Sequence, residues 1–236
     1  SASVHRFQHT PQNLLQWEKL FDLDSLQEYE DDPNSFKKAL KKDCPLIRRC
    51  LNSTANEMKK YKISFNGTTG QDLLIVVQNI VMFSQEYMDN FDDEIHESCE
   101  NVDDLELKEL IDHNYFIAGV IGNGIQSHFL FSLYPNIFPN RGQNAIWALY
   151  FLSGKKSFGF EEASEFLLID VDALNYSDKS VTQQNYHYPY DLFCFYALKL
   201  YLILKESCRQ KGYFFQKNYR YTYLDTFFNH IAKIPQ

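Results

Sequence analysis

Residues 71–87 form a strongly apolar segment that constrains the fold more than any other part of the chain. Its hydrophobic residues include Leu73, Leu74, Val76, Val77, Ile80, Val81 and Phe83. Strands are usually about four to eight residues long, so an apolar segment of this length favours a buried helix. The β-branched residues in it are typical of strands, and a strand therefore stays open as the alternative.

Helical patterns also occupy most of the rest of the chain. Apolar residues recur at helical spacing over 11–21, 45–61, 161–174, 192–209 and 224–231. A further helix is predicted to begin at an N-cap, which is Asn34 or Ser35. Glycine (9 residues) and proline (7 residues) are too scarce for a turn-rich β sandwich or barrel. One turn signal, Asn66-Gly67, predicts the tip of a short hairpin. The chain is therefore predicted to be a mainly α, multi-helix globular protein of about nine helices, with at most a short β-hairpin near 62–70.

Charge divides the chain unevenly. The formal net charge is −8, and from Glu86 to Asp112 the charged residues are all Asp and Glu apart from Lys108. The part from Glu97 to Asp103 lacks apolar periodicity and indicates a linker. We therefore expect an acidic and polar helical subdomain over 1–100 and an aromatic-rich helical subdomain over 101–236, with one compact domain as the alternative.

The cysteines and the N-terminal residues predict a cellular location. The five cysteines are odd in number and have no regular spacing, which is typical of reduced thiols in a cytosolic protein. The first ten residues, SASVHRFQHT, lack the apolar core of a signal peptide. No apolar run approaches the roughly 18–20 residues that span a bilayer. We expect a soluble, cytoplasmic protein that has no membrane partner.

The weakly charged segment from Asp112 to Gly154 contains the only Gly-x-Gly of the chain, Gly122-Asn123-Gly124. Such a turn lets backbone N–H groups at a helix start approach a phosphate without an intervening side chain. It is not a dinucleotide fingerprint, because Ser127 replaces the third glycine, and it lacks the Gly-Lys-Ser/Thr of a P-loop. The alternative is a pair of glycines at which a helix bends or packs closely against a neighbour.

Residues 117–150 resemble a helical segment of bacterial restriction and defence proteins. The resemblance is carried by Gly124–Leu130, by the Pro135 to Pro139 loop that leads to Arg141, and by Ala145–Tyr150. In those proteins a glycine-containing turn precedes a helix, an x-Pro-x-x-Phe-Pro loop and a second helix. This chain has Asn140-Arg141 where they have an acidic residue. The resemblance implies a bacterial or phage-related protein that is linked to defence or associated with nucleic acid.

Basic and aromatic residues alternate near the C-terminus. Arg209, Lys211, Lys217 and Arg220 lie among Tyr213, Phe214, Phe215, Tyr219, Tyr221 and Tyr223. Aromatic rings stack on exposed bases while Lys and Arg bind phosphates in single-strand grooves. With the glycine turn and three other cations, the candidate nucleic-acid-binding residues are Gly122, Asn123, Gly124, Arg141, Lys155, Lys156, Arg209, Lys211, Lys217 and Arg220. The alternative is a surface loop whose aromatic rings fold back into the core.

Cations are also frequent near the N-terminus, and none of them is among the candidate nucleic-acid-binding residues. Lys37, Lys38, Lys41 and Lys42 form a cluster, and Arg48, Arg49, Lys59 and Lys60 lie off the apolar stripe of the helix predicted over 45–61. This pattern indicates a solvated surface.

Catalytic and metal motifs are weak. Glu161, Glu165 and Asp170 lie close in sequence, which would suit a metal-dependent nuclease, but one exposed helix face explains them equally. His96 and Cys99 have no second ligand pair, so we expect no metal site, and no cofactor is implied. The predicted function is a non-catalytic protein associated with nucleic acid. The alternatives are a protein-interaction or structural module that forms homo-oligomers, and the nuclease.

Overall fold

The computed structural model describes residues 20–56, 58–153, 168–169, 181–182 and 190–234, and most of them are helical. The α-helices in these ranges are α1 (Leu23–Glu28), α2 (Pro33–Asp43), α3 (Pro45–Asn52), α4 (Met58–Gly67), α5 (Gly70–Asp89), α6 (Asp93–Ser98), α7 (Asn123–Leu133), α8 (Gln143–Leu152), α9 (Tyr190–Gln210) and α10 (Arg220–Ile231). Three 3₁₀ turns, Asp103–Leu105, Lys108–Ile111 and His113–Tyr115, connect α6 to α7. The prediction of a mainly α fold is confirmed.

Helix α5 is the buried helix that the apolar segment predicted. Its side chains Leu73, Val77 and Ile80 have no exposed surface. Burial on several sides outweighs the modest preference of its β-branched residues for strands. The most extensive contact of α5 is with α2, and it also packs against α1 and α7. The core of the N-terminal part is therefore built around α5.

The start of α2 differs from the prediction by two to three residues. Asp32 is the N-cap, and its carboxylate accepts hydrogen bonds from the backbone N–H and the hydroxyl of Ser35. Pro33 takes the first helical position, where a missing N–H and a fixed φ are suitable. The predicted caps, Asn34 and Ser35, therefore lie inside the first turn.

The helix predicted over 45–61 is two helices, because α3 ends at Asn52. Ser53 is extended, with ψ 139°, and its hydroxyl accepts the backbone N–H of Ala55. Ser, Thr and Asn side chains compete for backbone groups in this way and so weaken a helix locally. The chain resumes a helical conformation at Met58.

The short hairpin predicted near 62–70 is absent, since helix α4 runs through Ile63 and Asn66 to Gly67. Thr69 then caps α5 by accepting the backbone N–H of Asp72. Asn-Gly marks the end of a helix here, which is a position that glycine also favours.

The C-terminal helices pack on one another and on the same core. Helix α10 contacts α8 and α9, and α7 contacts α5. One connected cluster of buried hydrophobic residues includes Leu74 and Ile80 as well as Phe129, Phe193 and Phe228. Residues on both sides of position 100 thus share this cluster, and the division into two subdomains stays a prediction.

Strand β1 (Leu168–Ile169) pairs antiparallel with β2 (Val181–Thr182). The helix predicted over 161–174 otherwise lies outside the described residues, and its two described residues are extended rather than helical. The helix predicted over 11–21 falls almost entirely outside them too. Among the described helices, none combines the length and the apolar character that crossing a membrane requires.

Candidate nucleic-acid interface

The predicted glycine turn lies at the start of α7. Gly122 is the N-cap of this helix, and Asn123, its first residue, is buried. A side chain added at Gly124 would lie 3.9 Å from the carbonyl oxygen of Arg141. The helix start therefore lies beside the segment that precedes α8. A phosphate at this turn stays a prediction.

Arg141 lies in the interior, with 4% of its surface exposed. Its backbone N–H donates to the hydroxyl of Ser127, which in turn donates to the carbonyl oxygen of Gly124. The charge of Arg141 acts on buried Cys194, whose pKa nevertheless rises because burial disfavours the thiolate. The structure thus places Arg141 next to the glycine turn but beneath the surface.

Arg220 is fully buried between α6, α9 and α10. Its guanidinium donates to the carboxylates of Asp93 and Glu97 and to the carbonyl oxygen of Asn136, the last at 2.6 Å. Burial raises the pKa of both carboxylates, but hydrogen bonds and charges from Arg220 and Lys205 outweigh it, and the net change is downward. Arg220 therefore binds protein acceptors and does not face solvent.

The basic aromatic loop is exposed, but its charges are partly balanced. Phe214 and Tyr213 are 79% and 45% exposed. Arg209 forms an ion pair with Glu206, and Lys217 lies 3.7 Å from Asp93. Phe215 stacks on Tyr223 at 4.3 Å, and Tyr221 is buried against His96. Lys155 and Lys156 lie outside the described residues.

A second group of cations lies on helices α2 to α4 and has few acidic residues near it in sequence. Residues 37–62 contain nine Lys and Arg but only two acidic residues, Asp43 and Glu57. Their net charge is therefore +7, whereas that of the whole chain is −8. We call the exposed cations of this group the basic surface: Lys38, Lys41, Lys42, Arg48, Arg49, Lys59 and Lys60. Among the described residues, none of these seven forms an ion pair.

Apolar burial on the opposite side of each helix turns these cations outward. Phe36 and Leu40, one turn apart on α2, are fully buried, as is Ile47 on α3. Positions 38, 41 and 42 then fall on the solvent side of α2, because 3.6 residues make one turn. The helices α2, α3 and α4 pack in sequence, α2 on α3 and α3 on α4.

Two further lysines hold the basic surface together and do not belong to it. The ammonium of Lys37 donates to the carbonyl oxygens of Asn66 and Thr68, at 2.9 and 2.6 Å, between α4 and α5. The ammonium of Lys62 donates to the carbonyl oxygen of Ser53 at 2.6 Å. These bonds tie α2 to the end of α4, and α4 to the break after α3.

The acidic segment begins at the other end of α5. The segment 86–112 carries twelve Asp and Glu and one Lys, and it begins in the last turn of α5. The basic surface belongs to the helices beside the N-terminus of α5, where Gly70 touches Pro33. The acidic segment then returns along α5, because His113 and Asn114, which directly follow it, line a pocket with Gly67 and Thr68. Glu86 and Glu106 stay at the C-terminal end of α5, about 30 Å from its start by the length of the helix.

A groove of about 420 Å³ runs through the acidic segment. Its lining includes a ladder of three rings, Phe83 and Tyr87 on α5 and Phe91 just after this helix, with successive centroids 5.9 and 6.3 Å apart. The carboxylates of Glu86 and Glu106 are among its lining residues. This end of the molecule repels polyanions.

The titratable groups in the interior are held in unreactive forms. Burial lowers the pKa of His96 to about 3 and that of His128 to about 4, and it raises the pKa of the Cys44 thiol to about 12. In the described part of the chain, no three His, Cys, Asp or Glu side chains are grouped to hold a metal. The nuclease carboxylates Glu161, Glu165 and Asp170 lie outside that part.

No protein-family model, curated protein or solved structure matches this chain. The local resemblance of residues 117–150 to restriction and defence proteins accordingly stays a prediction.

Proposed function

We propose that this protein binds nucleic acid through the basic surface and performs no chemistry on it. One observation carries the proposal: seven exposed cations, which form no ion pair with any residue that the structure describes, lie on three consecutive helices, with α3 packed on both α2 and α4. Phosphate neutralisation by Lys and Arg supplies much of the affinity of proteins for nucleic acid. A local field of this kind can attract a polyanion although the whole molecule is acidic.

The comparison of the two cationic regions favours α2 to α4 over the C-terminal loop. In the loop, Arg209 and Lys217 each lie beside a carboxylate. A phosphate that approaches either residue must compete with that carboxylate and is repelled by it. The cations of the basic surface form no ion pair among the described residues. A carboxylate lies near them: hydrogen bonds from Ser35 and, more weakly, the charge of Lys38 lower the pKa of Asp32.

The biological setting of the proposal comes from the sequence. The resemblance of residues 117–150 to restriction and defence proteins supports a bacterial or phage-related protein with a role in defence. Polynucleotides are the common target of such systems, and a basic surface suits that target.

Fluorescence polarisation with labelled DNA and RNA tests the proposal at about 50 and 200 mM salt, the range in which phosphate contacts weaken most visibly. We expect binding at the lower salt that falls steeply at the higher salt. The variant Lys38→Gln/Lys41→Gln/Lys42→Gln should weaken it strongly, since glutamine keeps the helix propensity of lysine but removes its charge.

The matched control is Lys211→Gln/Lys217→Gln in the C-terminal loop, which should change binding little. If the loop variant abolishes binding and the α2 variant does not, the interface is the one predicted from sequence. Absence of binding at the lower salt would end the proposal for both surfaces.

A protein-interaction module is the second candidate, and the loop favours it. Phe214 is 79% exposed and lies beside exposed Tyr213, an arrangement that suits burial against a protein. This candidate predicts a molar mass that rises with concentration in light scattering and returns to the monomer value in Phe214→Ser. A constant monomer mass would count against it.

A further inference from the structure

We infer that the nucleic acid bound by the basic surface is double-stranded and is held through its phosphates, whatever its base sequence. The inference rests on the proposed function and adds the class of ligand. It comes from what surrounds the seven cations: several small polar side chains are exposed, as at Asn34, Asn52, Thr54 and Asn56, and the large apolar residue exposed on α2 to α4 is Ile63, which has no ring.

The aromatic rings of α2 to α4 point inward and cannot stack on bases. Phe36 and Phe65 have no exposed surface. Tyr61 stacks on Phe65 with ring centroids 6.1 Å apart, and its hydroxyl is buried. Proteins that bind single strands without sequence preference rely on such rings as stacking platforms. The described part of the basic surface offers no ring for this purpose.

A single-strand binder also needs a positively charged groove that follows one backbone. One described groove is lined by the ladder of aromatic rings and by carboxylates. Another runs past Ile75, Asn79 and Phe116. Neither is lined by any of the seven cations, which instead stand on outward faces of helices.

Attraction through charge alone favours the polyanion with the higher charge density. A duplex carries one negative charge per about 1.7 Å of its axis, compared with about 3.4 Å along one of its strands. Three helices can also meet phosphates of both strands at once. Lysines predominate among the seven cations, and they bind phosphates as point charges without reading base edges.

The test compares a labelled duplex of about 30 base pairs with each of its separated strands and with a duplex of unrelated sequence, across the salt range above. We expect the duplex to bind about tenfold more tightly than either strand, and the two duplexes to bind equally. With about five phosphates neutralised, the slope of log K against log salt is near −4.5, so affinity falls about 500-fold from 50 to 200 mM.

The α2 variant Lys38→Gln/Lys41→Gln/Lys42→Gln should lower the magnitude of the duplex slope by about 2.7, or 0.9 for each lost contact. Lys211→Gln/Lys217→Gln should leave it unchanged. Single strands that bind as tightly as the duplex, with the α2 variant weakening both, would overturn this inference and keep the proposed function. No binding of either form at 50 mM would overturn both.

Discussion

At the scale of single residues, Arg220 shows how an arginine is kept charged in the interior. Its guanidinium carbon lies 5.7 and 5.6 Å from the ring centres of Phe91 and Tyr201. Asp93 and Glu97 supply the opposite charges. Each of these groups offsets part of the cost of removing the guanidinium from water. The residue thereby links α6 to α10.

Replacement of Arg220 should therefore destabilise the protein. In Arg220→Ala the carboxylates of Asp93 and Glu97 lose their buried partner, and breaking such a pair costs about 3 kcal/mol or more. Urea unfolding followed by circular dichroism measures this loss. Arg209→Ala, which removes an exposed ion pair with Glu206, is the matched control and should have a much smaller effect. Equal effects of the two variants would mean that Arg220 is not the link described here.

One buried histidine, His96, and one partly buried histidine, His128, make stability depend on pH. The pKa is about 3 for His96, lowered by burial and then by Arg220, and about 4 for His128, lowered by burial and then by Arg49. An unfolded histidine titrates near pH 6.5. Below that pH the unfolded chain binds protons that the folded protein does not bind, so the free energy of unfolding falls as the pH decreases towards 4.

We expect each histidine to contribute a slope of up to about 1.4 kcal/mol per pH unit in the lower part of this window. Urea unfolding at several pH values between about 6.5 and 4 measures the combined slope. The variant His96→Gln can keep a hydrogen bond to Tyr221 but does not titrate, and it should flatten the curve. An unchanged slope in this variant would show that His96 is not the origin of the dependence.

At the scale of secondary-structure elements, the contact between α2 and α5 depends on a glycine. A Cβ at Gly70 would lie 2.2 Å from the carbonyl oxygen of Pro33, which is backbone and cannot easily move aside. Gly70→Ala should therefore destabilise the protein by about 1–3 kcal/mol, although alanine is the better helix former. Gly67→Ala, at an end of α4 with nothing within 4 Å, should be nearly neutral. Thermal unfolding of both variants decides whether α2 lies against the start of α5.

Local sequence patterns predict some of the helices but not all of their ends. Helix α5 could be predicted, because seventeen mostly apolar residues leave few other folds open. The ends of α2 and α3 could not, since they depend on Asp32 and Ser53, whose side chains compete with neighbouring polar residues for the same N–H groups. Asn66-Gly67 suits a hairpin tip and a helix end equally, and only the packing of α5 on α2 selects the second.

The candidate site was harder to predict for a related reason. An alternation of basic and aromatic residues does not reveal which of them are buried, and Arg220 and Tyr221 lie inside because α6 and α9 cover them. The cations of α2 to α4 can be read from the sequence, but the overall charge of −8 averages over the whole chain and does not indicate a local positive region. The net charge of each helical segment, taken separately, is the signal that identifies the basic surface.

At the scale of the whole molecule, the acidic end should influence nucleic-acid binding only when salt is low. The basic surface lies beside the start of α5, whereas Glu86 and Glu106 of the acidic segment lie at its other end, about 30 Å away by the length of the helix. The Debye length is about 8 Å at 0.15 M salt and about 30 Å at 0.01 M. Repulsion between the acidic end and a bound polyanion is therefore screened at about 0.15 M salt, whereas it weakens binding at about 0.01 M salt.

The variant Glu86→Gln/Glu106→Gln tests this separation, because both carboxylates are exposed and form no ion pair among the described residues. We expect tighter duplex binding than wild type at about 0.01 M salt and no difference at about 0.15 M. Lys38→Gln/Lys41→Gln/Lys42→Gln should be weaker at both, since those side chains touch the phosphates directly. A gain from the acidic variant that persists at the higher salt would place the bound duplex within about 8 Å of the acidic segment. The interface would then extend along α5 and would not be confined to the helices at its start.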